Sequence, residues 1–268
     1  MFSVLMSLYD KEKPEYLDLC LESLYKQTLS ADEIVLVYDG YINPKLDDIV
    51  KKWCASLPIK IIKLEKNVGL GQALNKGLEH CTHEIVARMD TDDICDTRRF
   101  EKQILLMQND SELSILGSDI EEFEERKEII TSYRHVPKST SAVMKAIKFK
   151  SPFNHMTVMF KKSHILAVGG YQEHYYMEDY NLWLRLMAKG YKAINIPEYL
   201  VTVRVGRDML SRRRGLKYVG SELKLARLKK KLGYLGFIES IYIFAIRSLP
   251  RIMPIFIMKH IYKIARTH

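Results

Sequence analysis

Apolar positions in the first ninety residues follow two alternating spacings. Short apolar runs at 4–7, 34–37, 59–64 and 85–89, the second of them β-branched, have the length and composition of buried strands. Between them, 14–27, 45–53 and 72–80 repeat apolar residues every three or four positions. In the first of these, Leu17, Cys20, Leu21 and Leu24 share one helical face and Pro14 stands at the start. Strands alternating with helices predict a largely parallel sheet with helices on both faces. Ligands in such sheets bind beyond the carboxyl ends of the strands. Ser7-Leu8-Tyr9, Asp39-Gly40, Asn67 to Gly71 and Asp90 to Asp93 all fall at those ends.

After residue 113 the pattern loosens. Residues 114–118, 156–160, 193–196 and 199–205 read as strands, Gly169-Gly170-Tyr171 as a turn, and 177–189 as a helix stopped by Gly190. The chain then becomes apolar at 235–244 and 252–258, interrupted by Glu239, Arg247, Pro250, Arg251 and Pro254. No uninterrupted run reaches the roughly 20 residues needed to span a bilayer. A basic, aromatic and apolar segment suits the membrane interface; helices docked on the protein's own core would show the same pattern.

The most informative stretch is Asp90-Thr-Asp92-Asp93, where a strand ends in three carboxylates. Asp90 and Asp92, two apart, point to one side while strand geometry persists, and paired carboxylates form a hard-cation site for magnesium or manganese. An acidic turn leading into the helix near Arg98 would look similar. A second acidic pair, Glu178-Asp179, opens the helix at 177–189, where the helix dipole stabilises negative charge. It reads either as a cap or as a base able to accept a proton from an attacking hydroxyl.

Composition narrows the field. The 268 residues are 47% hydrophobic and 28% charged, which excludes a disordered chain. The net charge of +9 is concentrated between Arg204 and Lys231, implying an anionic partner. Nucleic acid explains it poorly, because no aromatic platform or binding motif accompanies the basic residues. Cys20, Cys54, Cys81 and Cys95 form no Cys-x-x-Cys pair and, without a signal peptide, read as reduced cytosolic thiols.

Taken in order, these segments resemble glycosyltransferase family 2, the inverting nucleotide-sugar transferases of GT-A fold. Ser3-Val-Leu-Met-Ser-Leu-Tyr9-Asp10 stands at the first strand and turn, and Glu22-Ser-Leu-Tyr-Lys-Gln-Thr28 resembles the family's Ser-Leu-x-x-Gln-Thr. Asp39-Gly40 fits its Asp-Asp-Gly-Ser, and Asn67-Val-Gly-Leu-Gly-Gln-Ala-Leu-Asn75-Lys-Gly77 its glycine-containing loop and helix. Asp90-Thr-Asp92-Asp93 with Arg99-Phe-Glu-Lys-Gln103 matches its Asp-Ala-Asp-Asp…Arg-Leu-Glu-Lys-Gln block. Gly169-Gly170-Tyr171 and Glu178-Asp179 complete the set, which covers roughly residues 2–205. Tyr38 replaces the first Asp of the Asp-Asp-Gly motif, and Gly206 stands where many members carry His. The Gln-x-x-Arg-Trp motif of processive members is missing, which favours single addition.

The resemblance implies a Rossmann-like, mostly parallel sheet flanked by helices, with a basic and apolar helical C-terminal extension. It divides the chain into a catalytic domain at 1–215 (nucleotide-sugar half about 1–112, acceptor half about 113–215) and a C-terminal region at 216–268. Tyr9, Asp39, Asn67, Gly69, Asn75 and Asp90 would contact the donor, expected to be a UDP-sugar. Asp92, with Asp90, would hold Mn²⁺ or Mg²⁺, and His155 is a candidate additional ligand. Gly170, Tyr171 and Glu178 would meet the acceptor, and Asp179 would be the general base. The acceptor would be an oligosaccharide on a polyprenyl diphosphate in surface-polysaccharide assembly, and Arg212-Arg213-Arg214 could reach phosphates. The expected location is cytoplasmic, peripheral on the inner face of the cell membrane through the C-terminal region. A metal-dependent nucleotidyltransferase and a non-catalytic nucleotide-sugar or membrane-binding scaffold are the competing readings.

Overall fold

The structure is a computed structural model that describes residues 1–206 and 214–253. Its first half is a run of β/α units: β1 (Ser3–Leu8), α1 (Pro14–Tyr25), β2 (Glu33–Tyr38), α2 (Pro44–Trp53), β3 (Ile59–Lys63), α3 (Leu70–His80) and β4 (Ile85–Arg88). The second half adds β5 (Ile94–Cys95), α4 (Arg99–Asn109), β6 (Leu113–Phe123), β7 (Ile130–Arg134), α5 (Thr140–Ala146), β8 (Met159–Lys161), α6 (Lys162–Ala167), α7 (Glu178–Ala188) and β9 (Lys192–Arg204). Two further helices follow, α8 (Leu216–Lys231) and α9 (Phe237–Ile252).

One sheet runs in the order β3-β2-β1-β4-β8-β6-β9-β5, with β7 beside the far half of β6. Its first four strands are parallel, as the local pattern predicts. Beyond β4 it becomes mixed: β8 is antiparallel to β4 and β6, β6 and β9 are parallel, and β5 is antiparallel to β9. Strand alternation splits the core into two layers. Val4, Met6 and Leu8 join Leu17, Leu21, Leu46, Val50 and Phe100 on one face. Leu5, Val35 and Val86 join Leu74, Leu78, Trp183 and Leu225 on the other.

Close packing of α3 explains one glycine. A Cβ at Gly77 would lie 2.4 Å from Leu5 Cδ1 and 2.7 Å from Val37 Cγ2, so only Gly lets α3 settle on β1 and β2.

Two expected strands differ from the pattern. Residues 155–157 form a 3-10 turn, with only 159–161 extended, because the Thr157 hydroxyl donates to the Asn154 carbonyl (2.8 Å) and accepts from Ser118 N–H (3.0 Å). The two late strands are a single β9. Pro197 and Glu198 bulge out between the pairs Ser118–Ile196 and Asp119–Tyr199, where the missing proline donor costs the ladder nothing.

Among the described residues, no helix is long and apolar enough to cross a membrane. Of the basic run at 212–214, Arg212 and Arg213 lie outside the described residues, as does the apolar stretch beyond Met253.

Candidate active site

The mouth of the parallel half is built by one buried carboxylate. Asp39, at the end of β2, accepts hydrogen bonds from Val68 N–H (2.7 Å) and Gly69 N–H (3.1 Å), while Asn67 Nδ2 donates to the Asp39 carbonyl (3.2 Å). The loop lies so close that a Cβ at Gly40 would sit 2.6 Å from Asn67 N, and Gly40 holds φ +87°. Gly69, at φ +85°, then opens α3 without a side-chain cap. Tyr9, immediately after β1, is 41% exposed.

At the end of β4 the carboxylates of Asp90, Asp92 and Asp93 converge, with ligand oxygens all within 4.8 Å of one another. The three are not equivalent. Asp93 is fully buried and accepts from Arg204 N–H (2.9 Å), tying this turn to the end of β9. Asp92 is pushed up to about 7, first by burial and then by the charges of Asp90 and Glu12. Asp90 forms an ion pair with Arg88, whose guanidinium is 1% exposed. Crowded carboxylates that resist ionisation, with hard oxygen donors, fit Mg²⁺ or Mn²⁺ better than a soft metal.

Three neighbours of this cluster escaped the sequence reading. Arg88 lies directly beneath it, with Nε and Nη1 buried and without a hydrogen-bond partner. Strand alternation was the available signal, since Arg88 and Asp90 are two apart. Glu12 accepts from the Thr91 hydroxyl (3.0 Å), and burial raises its pKa. Arg204 lies over Tyr16, 3.7 Å from the ring centroid, and its Nε approaches the Asp92 carbonyl at 3.4 Å.

Several family-like motifs turn out to be braces. Arg99, fully buried, donates to the Arg88 carbonyl (2.7 Å) and to Gln103 Oε1 (3.0 Å); Gln103 in turn donates to the Thr157 carbonyl (2.8 Å). Gln27 donates to the Asp96 carbonyl at 2.6 Å. Together they fix the backbone on both sides of the carboxylates.

The second acidic pair approaches from α7. Tyr176, at φ +55°, turns the chain so that Glu178 and Asp179 occupy the first turn of the helix. Burial pushes the Glu178 carboxyl up to about 7, with the neighbouring Asp179 charge adding to it. The start of α3 faces this turn: a Cβ at Gly71 would meet Glu178 Cβ and Tyr171 Cβ, each at 3.4 Å.

Two expected contacts take supporting positions instead. Asn75 donates to the Tyr171 carbonyl (2.7 Å) and accepts from Tyr171 N–H (2.8 Å), so its amide is engaged by backbone rather than turned to a donor. Tyr171, expected at the acceptor, is 1% exposed, with its hydroxyl 2.8 Å from His155 Nε2. Its buried ring lies among the charges of Arg88, Asp179, Glu178 and Asp90. His155 is a half-buried partner of Tyr171, and desolvation of its ring drives its pKa well down. Gly170, at φ +59°, is held by Arg185, which donates to its carbonyl at 2.6 Å.

The family profile described as glycosyl transferase family 2 matches residues 3–169. The chain belongs to glycosyltransferase family 2. It is 51% identical over 264 residues to the amylovoran biosynthesis glycosyltransferase AmsE of Erwinia amylovora, covering 98% of each chain. It is 40% identical to an Escherichia coli UDP-Gal:alpha-D-GlcNAc-diphosphoundecaprenol beta-1,3-galactosyltransferase, covering 98% of this chain and 95% of the relative. Among solved structures, residues 1–349 of Staphylococcus aureus TarS in complex with UDP-GlcNAc align with a TM-score of 0.69 at 20% identity, over 93% of this chain and 72% of that one. This likeness establishes the GT-A glycosyltransferase fold for the family member described here.

Proposed function

We propose that this glycosyltransferase moves one sugar, with inversion, from a UDP-sugar to a hydroxyl of a polyprenyl-diphosphate-linked oligosaccharide during assembly of a bacterial surface polysaccharide. The observation that carries the reading is the approach of two acidic sites to one buried ring: Asp90, clustered with Asp92 at the end of β4, and Glu178 and Asp179, at the start of α7, all lie near Tyr171. The relatives named for amylovoran synthesis and for a diphosphoundecaprenol acceptor support the substrate classes.

In this reading Tyr9 packs on the base, and the remaining lone pairs of Asp39 accept the uracil N3–H. The Asn67–Gly69 turn and the uncapped start of α3 face the diphosphate, where backbone N–H groups and the helix dipole favour negative charge. Asp90 serves the ribose or the cation. A divalent cation, Mn²⁺ or Mg²⁺, held by Asp92 and Asp90 would supply Lewis acidity toward the diphosphate as charge builds on it. Asp179 takes the proton of the acceptor hydroxyl while that oxygen bonds to the anomeric carbon. The anomeric C–O bond to the diphosphate breaks, and its electron pair leaves with UDP. Glu178 and the Gly170 turn orient the acceptor, and residues 1–215 form the catalytic domain. The enzyme works at the inner face of the cell membrane, which the basic region from 216 onward meets.

The test is product analysis with the full chain, Mn²⁺, a panel of nucleotide sugars and a polyprenyl-diphosphate-linked GlcNAc. One donor should release UDP and add the mass of one sugar to the lipid. Pyrophosphate release from a nucleoside triphosphate would identify a nucleotidyltransferase, and metal-dependent UDP binding without transfer a scaffold; either overturns the proposal.

A further inference from the structure

Helix α9 turns most of its apolar residues away from the protein. Facing the protein it buries Ser240, Ile243, Ser248 and Arg251, only one of them apolar, and Arg247 donates to both Glu222 oxygens at 2.6 and 2.9 Å. Facing outward it carries Ile238, Ile241, Tyr242, Ile246, Leu249 and Ile252, each at least half exposed, with Ile238 at 81%. Their spacing of three and four residues places them along one stripe on the opposite side of the helix. A helix facing water ordinarily reverses this arrangement, and a continuous apolar strip of this kind marks a surface that meets something apolar.

The surroundings say what. Between Arg214 and Met253 the chain has nine Lys and Arg against two Glu, so most of the net charge of +9 lies here. Glu222 is buried against Arg247, leaving Glu239 as the single exposed carboxylate among the described residues of this hairpin. Lys217, Lys224, Arg227, Lys230 and Lys231 are exposed along α8. At the near end of the stripe, Lys230 Nζ lies 4.6 Å from the centroid of exposed Phe237, joining basic and apolar surface. An apolar stripe about 24 Å long, from 16 residues at 1.5 Å rise, bordered by cations, matches an anionic bilayer interface.

Helix α8 connects this face to the acceptor site. His174 Nε2 lies 2.9 Å from the Ser221 carbonyl, the Ser221 hydroxyl donates to the Tyr175 carbonyl at 2.8 Å, and Lys224 donates to the Glu173 carbonyl at 2.5 Å. Residues 173–176, which lead into Glu178 and Asp179, therefore rest on α8, and α8 is bolted to α9 through Glu222 and Arg247.

We propose that α9 lies flat in an anionic membrane surface, with Ile238, Ile241, Tyr242, Ile246 and Leu249 inserted, and that α8 thereby holds the acceptor loop at the bilayer. The membrane location rests on the functional reading above; the inserted face and its link to the acceptor loop are additional.

The experiment is sedimentation of the full chain with phosphatidylglycerol–phosphatidylcholine vesicles, beside the triple variant Ile238→Glu, Ile241→Glu and Ile246→Glu. The wild type should pellet with anionic vesicles and lose most of that binding on pure phosphatidylcholine. The variant should keep the wild-type melting temperature and lose at least tenfold in vesicle affinity. Three results overturn the proposal: equal pelleting of the two proteins, a fall in the variant's melting temperature showing that the chain itself covers the face, or a lipid-free wild-type dimer that the variant converts to monomer. No donor or acceptor is needed, so failure here is distinct from failure of the transfer reaction.

Discussion

Asn75 and Tyr171 are joined by a reciprocal pair of hydrogen bonds, side-chain amide to backbone, across 96 positions of sequence. One partner belongs to α3, after the Asn67–Gly69 turn, and the other to the turn before Glu178 and Asp179. The pair therefore fixes the turn before α7 against α3.

Replacing Asn75 with Ala removes both bonds and leaves a backbone N–H and C=O without partners, at about 1–3 kcal/mol each. The melting temperature should fall, and KM for the acceptor should rise more than the dissociation constant for the donor. Equal changes in both would assign Asn75 to donor contact instead, which isothermal titration with a UDP-sugar would reveal.

Asp179→Asn removes the proposed base while keeping its size. Turnover should fall by roughly 10²- to 10⁴-fold, the range for loss of a positioned base, with donor binding unchanged. Asp92→Ala should instead abolish the effect of Mn²⁺ on donor affinity. Retained turnover in folded samples of both variants would remove the mechanism.

Arg88→Met leaves Asp90 without its buried counter-charge. Asp90 then loses its partner among crowded carboxylates, so the metal-free variant should melt below the wild type. With one positive charge removed beneath the carboxylates, Mn²⁺ should raise the melting temperature of the variant more than that of the wild type. Differential scanning calorimetry at graded Mn²⁺ reads both effects.

Lys229 supplies a pH-dependent prediction away from the active site. Its ammonium is buried 4.6 Å from the Tyr180 ring centroid and donates to the Lys148 carbonyl at 2.8 Å; burial, then the charge of Arg247, push it down to about 7. Between pH 7 and the ordinary lysine value of about 10.4, the folded chain has lost a proton that the unfolded chain still holds. Unfolding then takes up a proton, so this residue makes stability rise with pH through that window, by at most about 1.4 kcal/mol per pH unit. Below pH 7 that gain is absent. Lys229→Met should flatten the rise, as measured by urea denaturation between pH 7 and 9.

The parallel half was legible because each strand there carries its own helix, so spacing and composition are local signals. The carboxylates at 90–93 and 178–179 could be named for the same reason: they sit at the ends of regular elements. Beyond residue 113 the elements depend on partners. Strands β5 and β8 have two and three residues and exist by pairing with β9, β4 and β6. The Pro197 bulge divides on paper a strand that β6 keeps whole. Asn75 and Tyr171 were singled out for ligand contact because nothing local shows that they bind each other. Arg88 was overlooked because a buried guanidinium in an apolar strand is justified by a carboxylate whose orientation only the fold reveals.

The bidentate Glu222–Arg247 pair limits how this enzyme can be made easier to handle in solution. Deleting α9 would strip its apolar face, but it would also strand Glu222, 2% exposed, without its cation on the helix against which residues 173–175 rest. Truncation would exchange a sticky protein for a loosened one. Repainting the outward stripe with polar residues, while leaving Arg247 and Arg251 in place, is the route that spares the catalytic end.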